Sequence, residues 1–196
     1  MTDVQETNTH IYFWGSFLSN FYPVKIKFAG IDFHTSEQLF MFLKAKYFED
    51  DEMADQIAAE GQEPAVAKKL GRQVKGFNNE DWEGAREDMM YIACQRKFMD
   101  DELFKQLLAT GDKVLVEGSP VDKIWGVGLK YDSKEMSVKV ENRRKNAKAA
   151  LEEQLKRGTK PEKINGKTSS TTIPLTEGDK KRIANEIEIL SKTKKK

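Results

Sequence analysis

A carboxylate at Glu37 and an amine at Lys44 stand seven residues apart in Thr35-Ser36-Glu37-Gln38-Leu39-Phe40-Met41-Phe42-Leu43-Lys44-Ala45. Thr35 followed three residues later by Gln38 is a capping-box pattern and starts a helix there. Positions 39–43 are all large and apolar, so this helix keeps no face for water and must be surrounded by protein. Seven helical residues fall about 20° short of two full turns and rise about 10 Å, which puts both charges on one stripe. Two such groups, partly removed from water, reach the two ends of a small molecule lying along the helix. Burial also moves their pKa values toward catalytic use. A structural reading stands beside this one: Glu37 suits the positive end of the helix, and Lys44 runs its stem out to solvent.

Composition narrows the chemistry. The chain has 196 residues, enough for one domain with an appendage, and its 11 Phe, 5 Tyr and 3 Trp all fall within the first 131. A single cysteine, Cys94, excludes an internal disulfide and fits a reducing, cytoplasmic setting. With His10 and His34 the only histidines, a zinc centre is not expected, and neither is any other metal or cofactor. The opening Met1-Thr2-Asp3-Val4-Gln5-Glu6 lacks the pattern of a signal peptide, and no apolar run reaches membrane-spanning length. The net charge of +1 hides an asymmetry: residues 156–196 carry 12 basic and 5 acidic side chains, leaving the rest at −6. Such a tail reads as a flexible solubilising end, or as a weak contact for nucleic acid.

The pattern predicts a strand at 10–14 and a hairpin of 24–28 with 31–34 about Ala29-Gly30. It predicts helices at 35–48, 51–60, 64–70, 79–98 and 101–109, a strand at 113–117, a loop region at 118–133 and a closing helix at 140–156. The expected fold is therefore α+β: a compact, mostly helical single domain over 1–157 with a small β-sheet. Residues 158–178 read as linker, and 179–190 as a short amphipathic helix through Ile183, Ile187 and Leu190.

Around the Glu37 helix stand further segments: Phe17-Leu18-Ser19-Asn20-Phe21-Tyr22-Pro23 upstream, then Ala67-Lys68-Lys69-Leu70-Gly71-Arg72, Trp82 with Arg86, and Lys97-Phe98. Leu107-Leu108-Ala109-Thr110-Gly111, Glu117 and Asp122-Lys123-Ile124-Trp125-Gly126-Val127-Gly128 follow. In this order and spacing the chain resembles the NADAR family of YbiA-like N-glycosidases over about residues 10–155. The resemblance implies a compact, mostly helical α+β domain that hydrolyses N-glycosidic bonds. It implies as substrates phosphoribosylated riboflavin-pathway intermediates or, in some branches, ADP-ribose attached to a base. One stretch departs from the pattern. Where the family has a Gly-x-Asn-x-Leu-Gly-like turn, this chain keeps Asn146 but has Arg144 and Ala149 for the glycines and Lys148 for the leucine.

Breaking an N-glycosidic bond builds positive charge on the ribose C1′ and negative charge on the departing base, so a site needs a carboxylate, a donor at the base and a phosphate anchor. Glu37 suits the first task. Lys44 either holds phosphate or adds to the opened ribose as a Schiff-base nucleophile, and the resemblance implies that both residues take part. Asp122 is the candidate second carboxylate, or else a turn-forming residue after Pro120. Phe21, Trp82 and Trp125 are candidates to stack on a heterocycle, with Trp82 also suited to core packing. Gly126 beside Trp125 admits close backbone approach. Ser19 and Asn20 offer hydrogen bonds from a loop, and Arg72 is the best phosphate fork, ahead of Arg86, which has Glu83 one turn away. Lys68-Lys69 and Arg96-Lys97 read as solvated helix faces. Three functions fit: an N-glycosidase for a phosphorylated ribosyl heterocycle, a hydrolase freeing ADP-ribose from a nucleobase or nucleic acid, and a non-catalytic ADP-ribose- or nucleotide-binding module. A pure binder needs no charge at C1′, so Glu37 and Lys44 together favour the enzymes.

Overall fold

The computed structural model describes residues 3–59, 63–164 and 167–192. The described residues group into two compact units: Phe13–Lys113 with Asp3, and Val4–Tyr12 with those described from Val114 onward.

The first unit is built on α1 (Ser36–Tyr47), surrounded as its composition demands. Thr35 caps it, its Oγ1 accepting from the Gln38 amide at 3.1 Å, while Gln38 Oε1 accepts from the His34 amide at 2.8 Å. The Gln38 amide group also donates to the Ile57 carbonyl at 2.9 Å. One buried glutamine thus ties the helix start to the strand before it and to α2 (Asp51–Ala58). The expected helix at 51–60 ends here, and Glu60 lies outside the described residues. Next come α3 (Pro64–Gly71), with proline in its first turn, α4 (Asn79–Lys97), capped by Asn78, and α5 (Asp101–Ala109), capped by Asp100. Helices α2, α3 and α4 all pack on α1. The hairpin β3 (Ile26–Phe28) and β4 (Ile31–Phe33) pairs Ile26 with Phe33 and turns through Ala29 and Gly30, both at positive φ, as a two-residue hairpin requires. It lays Ile26 and Phe33 into the core.

Strands β1 (Asp3–Glu6), β2 (His10–Trp14) and β5 (Val114–Glu117) form a three-stranded sheet in the order β1-β2-β5. β1 was not expected: its Asp-Val-Gln-Glu sequence carries one apolar residue, too few to show an alternation. In the second unit, Tyr12, Val116, Val127, Met136 and Val140 form the core. The closing helix α6 runs Met136–Arg157 and ends at Gly158 in a left-handed conformation.

The stretch read as linker is instead an antiparallel hairpin, β6 (Thr159–Ile164) with β7 (Lys167–Pro174), and the amphipathic helix is α7 (Glu177–Lys192). Its β-branched residues favour strands more than its polar composition favours coil. Leu175 and Ile183 are buried, α7 packs on α6, and Lys160 Nζ meets Asp179 at 2.6 Å. The Leu190 side chain, like Met1 and Thr2, lies outside what is described. Among the described residues no helix is long and apolar enough to cross a membrane.

Candidate active site

Glu37 sits in the first turn of α1 and is only 4 % exposed. Its carboxylate faces Lys68 Nζ on α3 at 3.7 Å, and that ammonium stands 5.4 Å above the Phe21 ring. Two turns on, Lys44 is 8 % exposed and donates from Nζ to the Gly71 carbonyl at 2.7 Å, where the end of α3 presents a partial negative charge. The same ammonium lies 4.2 Å above Phe77 and 5.6 Å from the Trp82 ring. Burial, then the neighbouring Arg72 guanidinium, pulls the Lys44 pKa below the usual lysine value. A Cβ at Gly71 would collide with the Met41 side chain, so a larger residue here would have to push that methionine aside for α3 to approach α1 as closely.

The loop before β3 closes onto the start of α1. The Glu37 amide donates to the Asn20 carbonyl at 3.0 Å, and Ser36 Oγ donates to Asn20 Oδ1 at 3.0 Å. Asn20 Nδ2 reaches Met90 Sδ at 3.3 Å, so this side chain organises the loop. Ser19 Oγ accepts from the Phe21 amide at 3.2 Å, and Phe21 itself is half-exposed.

In the first unit the structure therefore gathers Ser19, Asn20, Phe21, Glu37, Lys44, Arg72 and Trp82. Trp82 is mostly core: its ring packs at 5.5 Å from Phe40 and 6.1 Å from both Tyr47 and Phe48. Arg72 is exposed just past α3, and Arg86 pairs with Glu83 at 4.0 Å as their spacing predicts.

Asp122, Trp125 and Gly126 belong to the second unit. Asp122 forms the expected turn, Oδ1 accepting from the amides of Ile124 and Trp125, both at 2.9 Å, and of Gly126 at 3.5 Å. Arg143 clamps the loop from α6, donating to the carbonyls of Gly126 at 3.1 Å and Lys123 at 3.3 Å. A cavity of about 170 Å³ opens beside it, lined by Glu117, Trp125, Arg143 and Arg144 among aliphatic side chains. Arg143 thus holds this loop, and Arg144, which stands where the resembled pattern has a glycine, lines the cavity with it.

Two residues read as solvated faces prove otherwise. Lys68 turns inward to Glu37, and Lys97 is fully buried, its Nζ donating to the Ser19 carbonyl at 2.6 Å. For Lys97 a signal was present: Met90, Ala93 and Lys97 share a helical stripe, and the first two are apolar. Among the described residues no cluster of three His, Cys, Asp or Glu side chains is arranged to hold a metal ion.

A buried carboxylate and a buried amine thus stand on one helix with aromatic faces beside them, an arrangement able to stabilise a group that gains charge. Residues 12–154 match the NADAR domain family model. An N-glycosidase R617 from Acanthamoeba polyphaga mimivirus is 35% identical over 63% of this chain and 81% of its own length. The N-glycosidase YbiA of Escherichia coli is 35% identical over 59% of this chain and 69% of its length. The riboflavin biosynthesis protein VVA0006 of Vibrio vulnificus is 34% identical over 57% of this chain but only 30% of its length. The NMR structure of Escherichia coli YbiA superposes with a TM-score of 0.53 at 30% identity, covering 76% of this chain and 90% of that one. The chain belongs to the NADAR domain family of N-glycosidases.

Proposed function

We propose that this chain hydrolyses the N-glycosidic bond of a phosphorylated ribosyl heterocycle, such as an intermediate of riboflavin biosynthesis. The observation that carries the reading is the burial of Glu37 and Lys44 on one stripe of α1, with the Arg72 charge beside the amine. The kinship to a riboflavin biosynthesis protein supports the substrate class. As the C1′–N bond breaks, the bonding pair leaves with the base and Glu37 stabilises the positive C1′. Water supplies hydroxyl to C1′, and its proton passes through the carboxylate to the base nitrogen. Phe21 offers the exposed ring for the heterocycle, and Arg72 holds the phosphate. Lys44 either holds phosphate as a cation or, with its pKa lowered, takes the place of that water: its neutral amine displaces the base from C1′, the ring opens to an imine as the two amine protons pass to the base nitrogen and O4′, and water then cleaves the imine to free the sugar and the amine.

The test is incubation of the full chain with a panel of ribosylated compounds, following free base by chromatography. Release from phosphoribosyl heterocycles is expected. Release only from ADP-ribosylated nucleobases moves the assignment to the second hydrolase reading, which the basic residues 156–196 favour. Binding without release of any base overturns the enzymatic reading.

A further inference from the structure

Lys97 is 0 % exposed, and among the described residues no carboxylate stands within ion-pair distance of it. An ammonium in such a place is costly, and an apolar side chain would fill the space at less expense. Its surroundings are the faces of Tyr22 and Phe98, 5.8 and 5.2 Å from Nζ, and the Cys94 thiol. The polar partner it gains is the Ser19 carbonyl at 2.6 Å.

That contact is one of three along a single stripe of α4. Met90 Sδ accepts from Asn20 Nδ2 at 3.3 Å, Cys94 Sγ meets Asn20 Oδ1 at 3.8 Å, and Lys97 takes the Ser19 carbonyl. Residues 90, 94 and 97 follow the i, i+4, i+7 spacing of one helix face. From the other side, Ser36 Oγ and the Glu37 amide grip the same Asn20. The 19–21 loop is therefore held between α4 and the start of α1, with Phe21 left half-exposed near Lys68. Met90 and Cys94 make only weak sulfur contacts, so the charged, directional grip comes from Lys97.

We propose that Lys97 is a positioning residue, which fixes the 19–21 loop in the form that meets substrate. The proposal rests on the reading of that loop as a substrate contact. α1 is held by the whole first unit, so loss of the tie loosens the loop and leaves Glu37 in place. Substrate binding then suffers more than the chemical step.

The experiment compares the full chain with Lys97→Met, which keeps length without a donor, and Lys97→Arg, which keeps the charged donor. The substrate is whichever compound of the panel the unaltered protein hydrolyses fastest. Lys97→Met is expected to raise KM about tenfold or more while kcat stays within about threefold, and Lys97→Arg to restore most of the loss. Amide exchange at Phe21 and Tyr22, both bonded back to Ser19, should quicken about tenfold, with Phe104 in α5 unchanged. A merely structural role lowers the active fraction and melting temperature but leaves KM alone. Unchanged exchange at Phe21 and Tyr22, or faster exchange with an unchanged KM, overturns the proposal. Lys97→Gln serves the same comparison should Lys97→Met not fold. In the unaltered protein, NMR coupling across the hydrogen bond from Lys97 Nζ to the Ser19 carbonyl carbon must be present, and its absence also overturns the proposal. If no panel compound is hydrolysed, the glycosidase reading fails, while exchange and coupling still judge the anchor.

Discussion

Glu37 and Lys44 share a stripe of α1 yet turn to positions three residues apart on α3: the carboxylate to Lys68 at 3.7 Å, the ammonium to the Gly71 carbonyl at 2.7 Å. These two rungs tie α3 to α1. They also hold each charge with a partner that substrate can replace or share.

Lys44 separates two mechanisms. A phosphate anchor needs only positive charge, whereas an imine needs the neutral amine that burial and Arg72 make more available. Lys44→Arg should therefore lose on the order of 10³-fold or more in kcat. Borohydride added during turnover should trap a sugar adduct on Lys44, found by peptide mass spectrometry. Because the amine must lose its proton, the rate should rise with pH up to a value below the ordinary lysine pKa. An active Lys44→Arg protein with no trapped adduct assigns Lys44 to phosphate.

Lys97 leaves a signature in stability. Burial lowers its folded pKa from 10.5 to about 8. Below about 8 both folded and unfolded states carry the proton. Above it the unfolded chain binds more protons, so stability rises with pH. Cys94, whose thiol pKa burial raises above 9.0, acts with opposite sign above that pH, so the window is about 8 to 9. Urea unfolding should show stability rising across that window in the unaltered protein, with a weaker rise in Lys97→Met. Equal slopes would mean that Lys97 is not desolvated.

Much of the first unit was legible because its signals are local. The Thr35–Gln38 cap, the unbroken apolar run after it, the proline opening α3 and the Ala29-Gly30 turn each determine an element within a few residues. The burial of Glu37 followed from that run. Lys68 and Lys97 were misread because a lysine's long stem lets it face either way, and only tertiary partners decide. Asp122 was legible in both its alternatives, and the structure displays the turn. The hairpin β6–β7 was hidden by composition: Ser, Thr, Lys and Gly read as linker, while pairing between the two neighbouring segments decides a strand.

The C-terminal region gives a stability test. Ile183 on α7 is 2 % exposed in the second unit. Ile183→Ala should cost about 2–4 kcal/mol in urea unfolding, since it leaves a cavity. The exposed neighbour Ile189 changed to Ala should cost much less. Equal and negligible effects would return residues 158–192 to the status of a flexible tail.

The central claim is that a buried carboxylate at Glu37 stabilises positive charge at C1′. Glu37→Gln keeps the shape and removes the charge. Single-turnover release of free base from the preferred compound should slow about a hundredfold or more, with Kd for that compound nearly unchanged. Release at the unaltered rate by Glu37→Gln, at equal occupancy, would contradict the account.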